Sequence, residues 1–290
     1  MTMRGPAASC VVGAVMLLAN AGSVLGADKS QYSIFNPTPD RLLRDMSTDR
    51  PDNTESPFTV DAGRVQVETN LFGFSRSRPD ANGVVTDTYE FATTNIRIGL
   101  TNNVEVDVVW QPYGVVRSRH ADPIASFRDS GVGGVDLRAK FNFWGNDTFD
   151  KPGATALGLL PFVTLPTDKN NGISPEHVEG GLIVPFAINL PNNFGLGLNV
   201  GTVFLRDDGS SGYHTEYLTS ASLSYSWNDK VGTYYEVAAQ FGGASGDVVV
   251  LSTGVTYKLA KNVQLDAGVN IGVTSAADRI NPFVGLSTRF

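Results

Sequence analysis

The sequence predicts an all-β chain: a transmembrane, antiparallel, up-and-down β-barrel of about twelve strands. Segment after segment alternates apolar and polar residues, as strands with one oily and one polar face do. Charged residues fall on one parity of that alternation, while branched and aromatic residues fall on the other. Short turns rich in Asn, Asp and Pro fall at alternate connections, after the second, sixth, eighth and tenth strands, the one after the fourth (146–152) being somewhat longer, with longer polar connections between them. The 290 residues suffice for one large β-domain or two ordinary domains, and 22 Lys+Arg against 29 Asp+Glu argues against nucleic acid as a partner. A mean hydropathy of -0.07 is what alternation produces, since apolar residues are spread along the chain.

Residues 1–26 read as a secretory signal. Arg4 is the basic start, Cys10 to Leu25 is apolar, and Gly26-Ala27 places small residues near a cleavage point. The run is short for a spanning helix, which disfavours an anchor. Cleavage removes Cys10, the single cysteine, and with it any thiol catalysis, Cys-based metal site or internal disulfide.

Residues 27–63 form a periplasmic leader without a sustained period, dense in Pro, Asp, Ser and Thr. Asp40 to Met46 has room for a helical turn or two. Two readings stay open: a free linker, or a segment tucked into the barrel mouth with Arg50 and Glu55 pairing lumen charges.

The barrel, 64–290, divides into twelve alternating segments: about 64–76, 86–100, 103–117, 132–145, 153–167, 177–190, 194–207, 213–227, 231–243, 247–259, 262–274 and 280–290. Each reaches the roughly 9–11 residues that a tilted strand needs. Short turns at 101–103, 191–193, 228–230 and 260–262 contrast with longer connections at 77–85, 118–131 and 168–175. An even strand number leaves both termini at the short-turn, periplasmic end. Val104, Val106, Val108 and Trp110 face lipid, whereas Glu105, Asp107 and Gln111 face in; Trp144, Trp227, Phe194 and Phe290 complete aromatic girdles. The inner-face glycines Gly195, Gly197, Gly268 and Gly272 leave space or accept an aromatic neighbour. A soluble sandwich or lipocalin is the structural rival, and it has no need of twelve spanning strands.

The last strand carries Ile280, Pro282, Val284 and Leu286 on one face and ends on Phe290. It resembles the closing strand of bacterial outer-membrane barrels, which delivers a chain to the barrel assembly machinery. The run "STDRPDNTESPFTVDAGRVQVE" from Ser47, with Asp49, Arg50, Pro51, Asp52, Glu55 and Pro57, is more specific. So are "IRIGLTNNVEV", "GVGGVDLRAKFNFWG", "LPFVTLPT" and the terminal "VGLSTRF". Together they resemble a family of outer-membrane transporters labelled "MetA-pathway of phenol degradation", over nearly all of the mature chain. Gly134-Val135-Asp136 departs from the family's usual Gly directly before Asp. The resemblance implies a barrel in the outer membrane of a Gram-negative bacterium and a transport role. It carries no catalytic residue and no cofactor.

Parity places Arg97, Glu105, Asp107, Asp136, Arg138, Lys140, Glu179, His214, Glu216, Glu236, Asp266 and Arg289 toward the lumen, with Glu68 beside them. Two readings of this set remain: paired charges bracing the wall, or a polar channel selecting solutes. Arg97, Arg138 and Lys140 form a candidate basic ladder facing Glu105, Asp107 and Asp136. Three functions follow. The first is passive passage of small solutes, aromatic or weakly polar compounds by family analogy. The second is a closed structural or adhesive barrel; the third is an outer-membrane lipid hydrolase, for which His214 lacks a convincing nucleophile. No metal site is expected, because Asp168 to Gly172 has the wrong spacing for a calcium loop.

Overall fold

The computed structural model describes residues 28–120, 126–168, 173–207, 211–243 and 246–290. The expected signal segment and the tip of the connection after Asp168 lie outside them. Among the described residues, fourteen strands form one antiparallel sheet that closes on itself. They are β1 (Val65–Arg76), β2 (Val85–Thr101), β3 (Val104–Trp110), β4 (Tyr113–Arg119), β5 (Phe127–Gly131), β6 (Val135–Trp144) and β7 (Thr155–Leu165). Then follow β8 (Glu179–Asn189), β9 (Phe194–Arg206), β10 (Tyr213–Ser226), β11 (Val231–Phe241), β12 (Val248–Ala260), β13 (Val263–Gly272) and β14 (Asn281–Arg289).

Fourteen strands make twelve traverses, because two traverses are broken. β2 pairs with β3 over one half of its length and with β4 over the other. β3 in turn pairs with β6, and β4 with β5. Gln111-Pro112 divides the third traverse, and a proline has no N–H to give to the ladder. Residues 132–134, two of them glycine, divide the fourth, where the Gly133 N–H donates to the Gln111 carbonyl at 2.9 Å. The expected uninterrupted strand over 103–117 is thus two. The expected loop over 118–131 is strand at both ends, since β4 runs to Arg119 and β5 starts at Phe127.

The two ends of the barrel meet at a seam where β1 pairs with β14. There the Phe290 N–H donates to the Val65 carbonyl at 2.8 Å. Closure joins the first and last strands and leaves, among the described residues, only the short β5 with a single strand partner, β4; an open edge across the hydrocarbon would not be tolerated.

The distribution of residues is inverted relative to a soluble protein. Arg97, Glu105 and Lys140 are fully buried, while Tyr235 is 68% exposed and Val200 59%. Trp110, Trp144, Trp227 and Phe290 are also exposed. An apolar exterior around a polar interior suits a chain surrounded by lipid. Val106 sits on the outer face between Ile98 and Ala139, well inside both tryptophan rows. Val106→Arg should therefore destabilise the lipid-folded barrel by about 2–4 kcal/mol. Reversible unfolding from lipid vesicles measures this; a loss under about 0.5 kcal/mol would place that face away from lipid.

Candidate functional site in the lumen

The inner wall of β1, β2, β3 and β6 carries the densest charge. Arg97 reaches Glu105 at 2.7 Å and Glu68 at 2.8 Å, and Lys140 stands 3.5 Å from Glu105. Arg138 pairs with Asp136 at 2.6 Å, and Asp136 also accepts from the Thr164 hydroxyl at 2.8 Å. Across the strands the register partners run Arg97–Asp107–Arg138 and Glu105–Lys140. The expected basic ladder facing an acidic row is therefore an interleaved set, each cation between carboxylates. Like charges directly opposite would repel, and mixing the signs removes that cost.

The segment before β1 lies along this wall. Asp49 accepts from Lys140 at 2.6 Å and lies 3.2 Å from Arg97. The backbone N–H groups of Asp49 and Arg50 donate to Glu68 at 3.0 and 3.1 Å. Glu55 pairs with Arg138 at 2.9 Å, Arg97 donates to the Phe58 carbonyl at 2.8 Å, and Asn142 to the Pro57 carbonyl at 2.8 Å.

The same segment also bonds to the opposite wall, β10 to β13. Arg50 pairs with Asp266 at 2.8 Å. Asn53 donates to Glu236 from its backbone at 3.0 Å and from its amide at 2.7 Å. The Thr54 hydroxyl donates to Glu236 at 2.6 Å and accepts from the Ser220 hydroxyl at 2.8 Å. Acidic Asp49 and Glu55 thus meet the cations of the mixed wall, and Arg50 meets the acidic one opposite. Pro51 and Asp52 lie between these contacts.

Near the short turns, Asp61 gathers Arg44 at 3.3 Å, Lys29 at 3.4 Å and Arg289 at 3.5 Å. Asn146, from the turn after β6, donates to the Thr59 hydroxyl at 2.8 Å and to the Asn102 carbonyl at 2.8 Å. At the other end His214 sits between Asp207 at 2.7 Å and Glu216 at 3.0 Å. Glu179 opens β8 opposite Thr164 and lies across β9 from His214, near enough to feel the charges of His214 and Glu216. Among the described residues, no three His, Cys, Asp or Glu side chains converge as a metal site.

Sequence reasoning missed Asp61, Asn102 and Asn146, because loop and turn residues have no parity to read. It also missed the close approaches of the wall. A Cβ on Gly99 would lie 2.2 Å from the Asp61 carbonyl oxygen, and one on Gly285 would lie 2.3 Å from the Arg50 guanidinium. Gly268 does accept aromatic neighbours, the Phe283 ring and the Tyr234 hydroxyl. A cavity of about 850 Å³ remains beside the segment, bounded by Asp52, Thr54, Gly197, Ser222, Tyr234 and Gln264 among others.

Electrostatics set the charge of the segment. Burial works against the Asp49 carboxylate, but Arg97 and Lys140 beside it hold it well below the usual range. Asp52 pairs with no cation among the described residues. Burial pushes it up to about 7, Glu236 adds to the rise, and the Ser222 hydroxyl pulls it partly back.

The pattern of residues 48–290 matches the family model described as "Putative MetA-pathway of phenol degradation". The chain belongs to that family. The match begins in the segment that crosses the lumen and runs to Phe290. No curated protein matches the sequence. Among solved structures, the COG4313 outer membrane channel from Pseudomonas putida F1 is similar at 12% identity and a TM-score of 0.60, over 84% of this chain and 100% of that one. The transport unit of the autotransporter AIDA-I from Escherichia coli is similar at 10% identity and a TM-score of 0.53, over 84% and 93%. At these identities the likeness is one of fold, and for this MetA-pathway family member the fold is a membrane-spanning β-barrel.

Two outcomes follow for the lumen segment. Gly99→Val should unseat it, because the added carbons occupy the place of the Asp61 backbone. Proteolysis in 47–60 should then become fast while the barrel keeps its heat-modifiable mobility; unchanged protection would refute the close approach. Asp52, raised from 3.8 to about 7, favours the seated state fully below the unfolded value, and that contribution is lost as pH rises through about 7. Hydrogen exchange of 47–60, corrected for intrinsic rates, should accelerate from pH 5 to pH 8, and Asp52→Asn should flatten the dependence.

Proposed function

We propose that the chain is an outer-membrane channel for passive passage of small solutes, narrowed by its own residues 28–63 seated in the lumen. The observation that carries this is the polar, charge-lined interior, to which one segment is bonded on opposing walls. A barrel built only for support has no need of a charged axis, whereas rings of charged side chains at a constriction select among solutes. No nucleotide site enters this reading, so the gradient drives the flow.

In this reading both termini and the short turns face the periplasm, and the long connections face outward. The exposed Phe290 at the closing strand is the feature the assembly machinery would read. The family description supports aromatic or weakly polar solutes such as phenols as the cargo class. The wall residues Arg97, Glu105, Asp107, Asp136, Arg138 and Lys140 then set selectivity together with Glu236 and Asp266. We assign no catalytic step to His214, which is held between two carboxylates.

The bonds from 47–60 to both walls favour a second reading, a barrel that stays closed until that segment moves. Planar-bilayer recording separates the two. The channel reading expects small, steady conductance from the full chain and a several-fold larger conductance when residues 28–63 are deleted. Silence from both proteins would overturn it. Silence from the full chain alone, with steps after the deletion, would favour the closed reading.

A further inference from the structure

The outer wall carries a feature that the lumen does not explain. At the long-connection end, register partners on four adjacent strands form one row: Arg76 on β1, Asp87 on β2, Arg117 on β4 and Arg128 on β5. Arg119 joins it from two residues further along β4. Alternation puts the row on the lipid-facing side. Phe74 and Tyr89, the next pair on the same face, stack at 5.2 Å, and beyond them Phe72, Phe91 and Tyr113 form an exposed aromatic band. The row therefore sits one residue pair outside an aromatic girdle, at the depth of lipid headgroups.

Its charge is unbalanced. Asp87 is buried, accepting from Arg76 at 2.7 Å and from Arg119 at 2.5 Å. Arg117 lies over the Tyr89 ring at 5.5 Å. Among the described residues no carboxylate stands within ion-pair distance of Arg117 or Arg128. Asp129 neighbours Arg128 but points to the opposite face by alternation. Among the described residues, the four guanidiniums of the row have one carboxylate beside them, and it pairs with only two, Arg76 and Arg119. Arg117 and Arg128 stand directly opposite each other, a like-charge pair that destabilises a sheet unless an anion lies between them. Inside the barrel, Arg97 on β2 is matched by Glu68, Glu105 and Asp49; outside, Arg117 and Arg128 have no such match among the described residues. With strands about 4.8 Å apart, the row from Arg76 to Arg128 is roughly 14 Å wide, suited to more than one phosphate.

We propose that this row is a binding site for the phosphate groups of a phosphorylated glycolipid in the surrounding leaflet. Arginine suits the role because its planar fork donates two hydrogen bonds to a phosphate. The acyl chains of the same molecule would lie on the aromatic band below. The site rests on the proposed orientation, in which the long connections face outward.

The test is native mass spectrometry of the refolded, lipid-free full chain in detergent. The probes are lipid A, the same glycolipid stripped of phosphate, and inorganic phosphate. The wild type should retain lipid A and lose the dephosphorylated form. Arg117→Ser/Arg119→Ser/Arg128→Ser should weaken lipid A binding by roughly a hundredfold, as removal of three cations near a membrane surface predicts. Lys230→Ser/Lys261→Ser, at the other end, should leave it unchanged. Should the triple variant fail to fold, Arg128→Ser alone, near the end of the sheet, is expected to cost about fivefold. Equal retention of both glycolipids, or an unaffected arginine variant, would overturn the proposal. Inorganic phosphate binding as tightly as lipid A would make the row a free-anion site and overturn the lipid. Surface labelling of residues 77–85 on intact cells tests the orientation separately, and its failure would not alter a phosphate preference measured in detergent.

Discussion

Everything in this structure depends on one constraint: lipid offers no hydrogen bonds, so each polar group of the spanning region must find its partner within the chain. The backbone meets it by closure, with β1 bonded to β14 and the Phe290 amide to Val65. The side chains meet it by turning inward, which fills the interior with charge. Breaking any one buried pair there would leave an isolated ion, a cost of roughly 3–5 kcal/mol. Arg97 touches Glu105 and Glu68 and donates to a carbonyl besides, so its charge is dispersed over several acceptors.

That inward charge makes a vacancy along the axis, and the amino-terminal segment is complementary to it. Asp49 and Glu55 are offered to Lys140 and Arg138; Arg50 is offered to Asp266. The wall yields at selected points to let the segment in. Gly99 and Gly285 lie where any side chain would collide with Asp61 or Arg50. The prolines Pro51 and Pro57 restrict the segment to extended or turn conformations, lowering the entropy lost when it is seated.

Parity made most of the barrel legible in the sequence. A period of two assigns every strand residue to one of two faces, so Arg97, Glu105, Asp107, Lys140, Glu236 and Asp266 could be placed together inside without a contact being known. Parity is silent about which inner residues meet across the axis, because that depends on the stagger of twelve strands and on a segment with no period. The Asn53 and Thr54 bonds to Glu236 are of this kind. It also fails where the ladder is broken. Gln111-Pro112 and Gly133-Gly134 reset the alternation, so Arg117 and Arg128 were hidden between a strand end and a loop.

The two faces of β2 and its neighbours give the same rule opposite expressions. Inside, Arg97 is enclosed by carboxylates from β1, β3 and the amino-terminal segment, because the lumen holds fixed partners at fixed distances. Outside, at the rim, Arg117 and Arg128 lie opposite one another with an aromatic band beneath them. A guanidinium facing hydrocarbon would be expelled, and one in free water would need no row. Guanidiniums from three strands, in a row four strands wide at the boundary, suit a third medium, the anionic headgroup layer, where the mobile partner is supplied by the membrane. The inner charges are thus closed within the chain, and the outer ones are left for what surrounds it.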